Sequence, residues 1–237
     1  MPMKFQFRWV PFIAATIVAV IGIMLGQWQT RRAVEKESIE TTMAVRETAT
    51  PIVLNDAPLQ PADIEYRHVR VRGHFVQDWP VYLDNRPYKG KAGFYVLMPL
   101  RIDGSDMHVL VARGWVGRDV TDRTRLPSIP VPDDLVEIEG VVRRNLGQVL
   151  QLGGAAPLQP HAIVQNADIA AFEQAGKWRM HPFIIEQTSE MQDGLVRDWP
   201  RSSTGVEKHR GYAFQWYALA ATAMIFFVVT GFRRASK

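Results

Sequence analysis

Two uncharged apolar stretches, one near each end of the chain, constrain this sequence more than anything else in it. Val10–Gln29 reads VPFIAATIVAVIGIMLGQWQ, and Gly211–Phe232 is equally free of charged residues. About 20 residues of helix, at ~1.5 Å each, cross a hydrocarbon core of about 30 Å. Both stretches therefore predict transmembrane helices, over 10–29 and 210–232. A cleavable secretory signal is the competing reading of the first. Signal cores are shorter, however, and the exit Gly26-Gln27-Trp28-Gln29-Thr30-Arg31-Arg32 has no small-x-small cleavage pattern, so an uncleaved anchor is expected. Lys4 and Arg8 flank the first stretch, and Arg233, Arg234 and Lys237 follow the last. Positive residues beside short tails mark the cytoplasmic side. Arg31, Arg32, Lys36, Lys208 and Arg210 oppose that orientation, but the segment between the spans is long, and long loops cross largely regardless of charge. The expectation is that both termini are cytoplasmic and the central segment external. That means the periplasm if the membrane is the bacterial inner membrane, or the intermembrane space if it is the mitochondrial inner membrane.

The chain has no cysteine, which removes disulfide frameworks, thiolate zinc sites, iron–sulfur clusters and copper–thiolate chemistry. Its nine methionines are scattered and form no copper-delivery motif. A net charge of +4 with no basic block gives no footprint for nucleic acid. Most of the surplus sits beside the membrane ends, where anionic lipid accounts for it.

Residues 30–64 read as a membrane-proximal helix and loop. Arg31 to Met43 has helical propensity and is able to continue the first span into water. Pro51 ends that option, and Pro58 and Pro61 hold the adjoining stretch in loop. Residues 65–205 read as a β domain. Arg67, Val69 and Val71 alternate with His68, Arg70, Arg72 and His74 across a strand. Phe94–Leu100 and Met107–Trp115 flank Asp103-Gly104, a hairpin signal in a loop longer than two residues. Val136–Val142 alternates again, and Val81–Leu83, Val149–Leu152 and Phe183–Gln187 complete the strands. One helix interrupts, with Asn166 as N-cap, Ala167–Gln174 as body and Gly176 at C′. The fold class expected is an integral membrane α+β protein. Two transmembrane helices flank an external, mainly antiparallel β domain, a sandwich or open barrel with one short helix.

Enzymatic signatures are missing. There is no G-x-S-x-G, Walker A loop or G-x-G-x-x-G. The histidines (His68, His74, His108, His161, His181 and His209) include no H-x₃-H pair, and His68 and His74 lie on an arginine-rich strand face that repels a cation. Asp133-Asp134 follows Pro132 and reads as a solvated turn. The spans offer more. Gly22 and Gly26 form a G-x-x-x-G pair, extended by Ala15 and Ala19, that allows a second helix to approach through Ala213, Ala220 or Ala223. On the second span, His209, Tyr212, Ala213, Trp216 and Ala220 fall on one helical face. That face reads in two ways. It is either a polar cap above an interfacial aromatic belt, or a site where His209 ligates a haem iron beside aromatic walls, with Lys208 and Arg210 near the propionates.

Several ordered motifs carry a resemblance. They are Gly26-x-Trp28-Gln29-x-x-Arg32-x-x-x-Lys36, then Glu65-Tyr66-Arg67-x-Val69-x-Val71-Arg72-Gly73-x-Phe75, then Gly93-x-x-Val96-x-x-Pro99-Leu100. Val111-x-Arg113-Gly114-Trp115-Val116 is next, and His209-x-x-Tyr212-x-x-x-Trp216-Tyr217 closes the set. With these the chain resembles the Surfeit locus protein one and Shy one family of assembly factors for haem–copper cytochrome c oxidase. It departs from the family pattern at Glu35, Ala112, Glu207 and Lys208, while Arg113-Gly114-Trp115 and His209 are intact.

The resemblance implies a non-enzymatic role in oxidase biogenesis, handling haem a or promoting its insertion into subunit one. Subunit one and haem a synthase are the implied protein partners, with the lipid bilayer around the spans and room for a homo-oligomer. It implies His209 as the ligand of the haem iron, with Tyr212, Trp216, Arg113 and Trp115 as contacts. Arg113 and Trp115 have an equal alternative as anchors of a hairpin end. A cofactor-free scaffold that stabilises an oxidase intermediate is the rival to a haem-handling factor.

Overall fold

A computed structural model describes residues 3–119, 121–122, 125–149, 157–200 and 205–234. In chain order the elements are β1 (Met3–Phe5), α1 (Trp9–Glu47), β2 (Ile52–Val53), α2 (Pro61–Ile64), β3 (His68–Phe75), β4 (Val81–Leu83) and β5 (Gly93–Ile102). They continue with β6 (Met107–Gly117), β7 (Val136–Arg143), β8 (Ile163–Val164), α3 (Ile169–Gly176), β9 (Arg179–Gln187), α4 (Val206–Gly231) and β10 (Phe232–Arg234). The chain forms two compact units: Met1–Thr42 with Arg201–Lys237, and Met43–Pro200.

In the first unit, α1 and α4 are both long and apolar enough to cross a membrane. The polar Arg31–Met43 stretch continues the first span, and the helix runs on to Glu47 before Pro51. Small residues set how closely the helices approach. Ala19, Gly22, Gly26 and Ala33 are buried on α1, and Ala213 and Ala220 on α4. A Cβ placed on Gly22 would lie 2.9 Å from the Trp216 carbonyl oxygen and 3.0 Å from the Ala220 methyl. One placed on Gly26 would meet the Tyr217 ring at 2.6 Å. The G-x-x-x-G pair is thus the contact seam. Opposite the histidine end, β1 and β10 pair antiparallel, with Lys4 across from Arg233.

In the second unit the strand order is β2-β3-β7-β9-β6-β5-β4-β8, and a further β3–β5 pairing closes five strands into a barrel. β5 is shared along one edge: Leu100–Ile102 faces β3, while Tyr95–Leu97 faces β4. The sheet is mainly antiparallel, but β2–β3, β4–β8 and β6–β9 are parallel. The parallel β6–β9 pair is possible because the long connection carrying β7, β8 and α3 supplies the crossover that parallel strands need. β5 and β6 are buried almost continuously, because both of their faces are covered. Phe94, Val96, Met98, Val109 and Val111 fill one core with Ile138, Phe183 and Ile185. Leu97, Leu110, Ala112 and Ile184 form a second with Phe172 of α3.

Local details differ from the sequence expectation for identifiable reasons. The N-cap of α3 is Asp168, whose carboxylate accepts from the Ala170 N–H at 3.0 Å. The Asn166 side chain instead brackets the backbone of Val149 with two hydrogen bonds, of 2.8 and 3.0 Å. Val149 is not in a strand, and the rest of the strand expected over Val149–Leu152 lies outside the described residues. α3 closes with Lys177 in the left-handed region (φ 54°), one residue beyond Gly176. Pro61 begins the one-turn helix α2, where loop was expected, because a first helical position needs no N–H donor. β9 starts at Arg179. The register against β6 slips between His108 and Leu110, around Pro182, which has no N–H to give the ladder.

Candidate functional site

His209 sits in the first turn of α4, behind Gly205, which caps the helix with backbone in the left-handed region (φ 72°). The ring is half-buried and its Nδ1 lies 2.7 Å from Oε1 of Gln29 on α1. A carbonyl oxygen only accepts, so in the neutral ring this contact places the proton on Nδ1 and leaves the lone pair to Nε2. Among the described residues Nε2 has no hydrogen-bond partner. Beside it, Arg210 spans both carboxylate oxygens of Glu37 at 2.9 and 3.0 Å and reaches Glu207 at 3.2 Å. Lys208 is exposed and makes no ion pair among the described residues.

The helical face drawn from the sequence is divided in the structure. Ala213 and Ala220 are in the seam, Trp216 is half-buried with its carbonyl against Gly22, and Tyr212 is 52% exposed on the flank. Tyr217 packs against Gly26. A haem iron needs an unprotonated imidazole nitrogen, and His209 is able to present one. Among the described residues no three His, Asp or Glu side chains converge as a metal cage. His181 donates from Nε2 to the Asn55 carbonyl at 2.9 Å and stacks on Phe183, while His108 stacks on Trp178.

Arg113 and Trp115 belong to the β unit. The β5–β6 register runs from Val96 opposite Gly114 to Leu97 opposite Ala112, so Arg113 is the unopposed residue of a bulge. The bulge aims Arg113 into the barrel, where its side chain is 0% exposed. Its guanidinium donates to Asp193 and to the Pro130 carbonyl, both at 2.9 Å, and lies 4.8 Å over the Phe75 ring. Asp193 also accepts from Arg197 at 2.6 Å and from the Leu195 N–H at 3.2 Å. Burial pushes Arg113 below the ordinary arginine range, and the Asp193 carboxylate offsets only part of that.

Through Asp193 the segment Asp193–Arg197 is strapped across β6, and Trp115 and Val196 exchange backbone hydrogen bonds at 2.7 and 2.9 Å. Gly114 (φ 155°) makes that approach possible, since a Cβ there would lie 2.7 Å from Leu195 Cβ. The Trp115 indole donates to the Arg86 carbonyl at 2.6 Å and packs on Tyr88. Arg-Gly-Trp is therefore one device: a charge for the buried carboxylate, a gap for the strap and a ring to cover Gly93. The sequence did not reveal Asp193, Arg197 or Gln29 in these roles. Only Gln29 left a signal, by lying within a recognisable motif.

Two membrane-length helices, a branched five-stranded barrel between them in sequence and a histidine at the head of the second helix define a two-helix membrane protein with an inserted β domain. The family model described as the SURF1 family matches residues 16–221, a range that includes all the ordered motifs from Gly26 to Tyr217, and the chain belongs to that family. It is similar to a SURF1-like protein of Rickettsia bellii, 33% identical over 233 residues, which cover 91% of this chain and 88% of that protein. Similarity to Surfeit locus protein 1 of Xenopus tropicalis is 26% over 227 residues, 86% of this chain and 70% of that protein. The cytochrome oxidase assembly protein SHY1 of Saccharomyces cerevisiae is 29% identical over 119 residues, 48% of this chain and 31% of that protein.

Proposed function

We propose that this protein is an assembly factor for haem–copper cytochrome c oxidase that holds haem a, through His209, on its way into subunit one. The observation that carries the haem part is the half-buried His209 ring, with Nδ1 engaged and Nε2 without a partner among the described residues, at the head of α4. Support for the oxidase part comes from family membership and from the assembly role in the printed name of SHY1. Haem a is cargo in this reading and supplies an iron that accepts one imidazole nitrogen. The chain does the rest. His209 provides the nitrogen, the exposed Tyr212 ring and the half-buried Trp216 flank it, and Lys208, exposed and without an ion pair among the described residues, would meet a carboxylate. Arg113 and Trp115 act at one remove, by keeping the strap on the barrel. The reading needs no turnover chemistry. The barrel surface would meet subunit one or haem a synthase, with the β domain outside the membrane and both termini in the cytoplasm. A phosphatase fused near Gly104 should be active and one fused after Lys237 inactive; the reverse pattern would overturn that orientation.

The test is His209→Ala in a host that makes haem a. Alanine favours helix, so protein level and insertion should match wild type. The variant should copurify with little haem, shift the Soret band of what remains, and yield oxidase short of haem a. Tyr212→Phe, which removes only a hydroxyl, should matter less. Normal haem and an unchanged spectrum in His209→Ala would refute the ligand role. Wild type that carries no haem yet supports the oxidase would establish a cofactor-free scaffold instead.

A further inference from the structure

We propose that Gln29 is a positioning residue that selects the ring form of His209, keeping Nε2 unprotonated and able to bind. The inference rests on the haem reading for its purpose but not for its geometry. The contact is a 2.7 Å bond between two helices, from Nδ1 on α4 to the side-chain oxygen on α1. Neutral imidazole carries one proton, and the partner of one ring nitrogen decides what the other can do. In water the proton favours Nε2, which would block the nitrogen that has no partner among the described residues. A carbonyl acceptor at Nδ1 reverses that preference.

The chemistry of the acceptor matters as well. A neutral amide oxygen fixes the tautomer and brings no charge of its own. The carboxylates nearby are engaged elsewhere: Glu37 and Glu207 both bond Arg210.

The seam supplies the distance. Gln29 lies one turn beyond Gly26 on α1, and at Gly22 and Gly26 the helices touch through backbone and ring atoms. Near that seam the glutamine side chain spans from one helix to the other. The G-x-x-x-G pair and the Gln29 amide therefore belong to one arrangement, in which packing sets the gap and the amide uses it. Partners of this kind typically alter metal affinity by about 10–100-fold when removed.

The experiment uses the full chain in lipid nanodiscs, with ¹⁵N-labelled imidazoles and His209→Ala to assign the His209 signals among the six histidines. Under mildly alkaline conditions, wild type should show Nδ1 protonated and Nε2 bare. Gln29→Leu, which keeps the size and loses the acceptor, should move the proton to Nε2. Gln29→Glu, which keeps an acceptor, should leave it on Nδ1. Wild type with a protonated Nε2 would overturn the proposal. Haemin is then titrated into the same samples. Gln29→Leu should bind about 10–100-fold more weakly while Gln29→Glu stays close to wild type at alkaline pH. Equal haemin affinity for Gln29→Leu and wild type would also overturn it. If wild type binds no haemin, the haem reading falls, and the nitrogen shifts alone support or overturn the role of Gln29.

Discussion

Replacing Asp193 by alanine should unfold the β domain more readily than any other single change at a charged residue in it. Its carboxylate is 2% exposed and serves two guanidiniums, Arg113 at 0% and Arg197 at 5%. Removing one partner of a buried ion pair costs about 3–5 kcal/mol, because the remaining charge stays buried without compensation. Here two charges are left, along with the Leu195 N–H, so about 4 kcal/mol is a lower figure for the loss. Domains of this size are stable by only about 5–15 kcal/mol, and each kcal/mol shifts the melting temperature by about 2–4 °C. A fall of about 8–16 °C is the result expected. Arg113→Met should cost less, about 1–3 kcal/mol, since methionine fills the barrel and Asp193, keeping Arg197, loses one hydrogen bond and not its counter-charge. The assay is thermal melting of the full chain in detergent followed by tryptophan fluorescence, with Trp115 and Trp199 reporting from the core that Val196 of the strap joins. A melting point for Asp193→Ala within about 3 °C of wild type would refute the reasoning, as would Arg113→Met proving the worse of the two.

Gly22→Ile should lower the membrane level of the protein more than Gly26→Ile, because the first meets a carbonyl and a methyl that cannot move aside and the second meets a ring that can. Immunoblots of membranes decide it, and equal or reversed losses would show that the seam is set elsewhere. Stability should also fall with acidification from about pH 7.5 to 5.5. Burial holds His108 and His181 below the ordinary histidine value of 6.5, so below that pH the unfolded chain takes up protons that the folded domain refuses. Glu186, which burial holds above 4.5, acts in the opposite sense, so the decisive comparison is wild type against His181→Gln. The variant's melting point should depend less on pH, and an unchanged slope would remove His181 from the account.

The spans, the strand alternation of β3 and β7 and the β5–β6 hairpin were legible in the sequence because each is a local pattern of polarity. The parallel β6–β9 pair was not, since its partners lie far apart and neither pattern encodes direction. The N-cap of α3 was misplaced for a related reason: Asn166 and Asp168 both suit a cap, and only the distant backbone of Val149 assigns Asn166 elsewhere. At the site, periodicity gathered His209, Tyr212 and Trp216 on one face. It could not show that the face is mostly a helix seam, because the position of the second helix is a tertiary fact. Arg113 read equally well as a contact or an anchor until Asp193, 80 positions away, completed its surroundings.

The parallel pairing of β6 with β9 has a cost in time. The hairpin of β5 and β6 is complete once Gly117 emerges, yet the other edge of β6 has no partner until Gln187 does, about 70 residues later. At a synthesis rate of about 5–20 residues per second, that edge, with Val109, Leu110 and Val111 at its centre, waits roughly 4–14 s with its backbone groups unpaired. A nascent chain in that interval is an open template for any extended segment nearby. The barrel therefore ends its vulnerable period late, and mutations that slow β9 from docking should raise the fraction lost to degradation without changing how the finished protein melts. Pulse-chase decay of new chains, compared with melting of purified protein, separates the two.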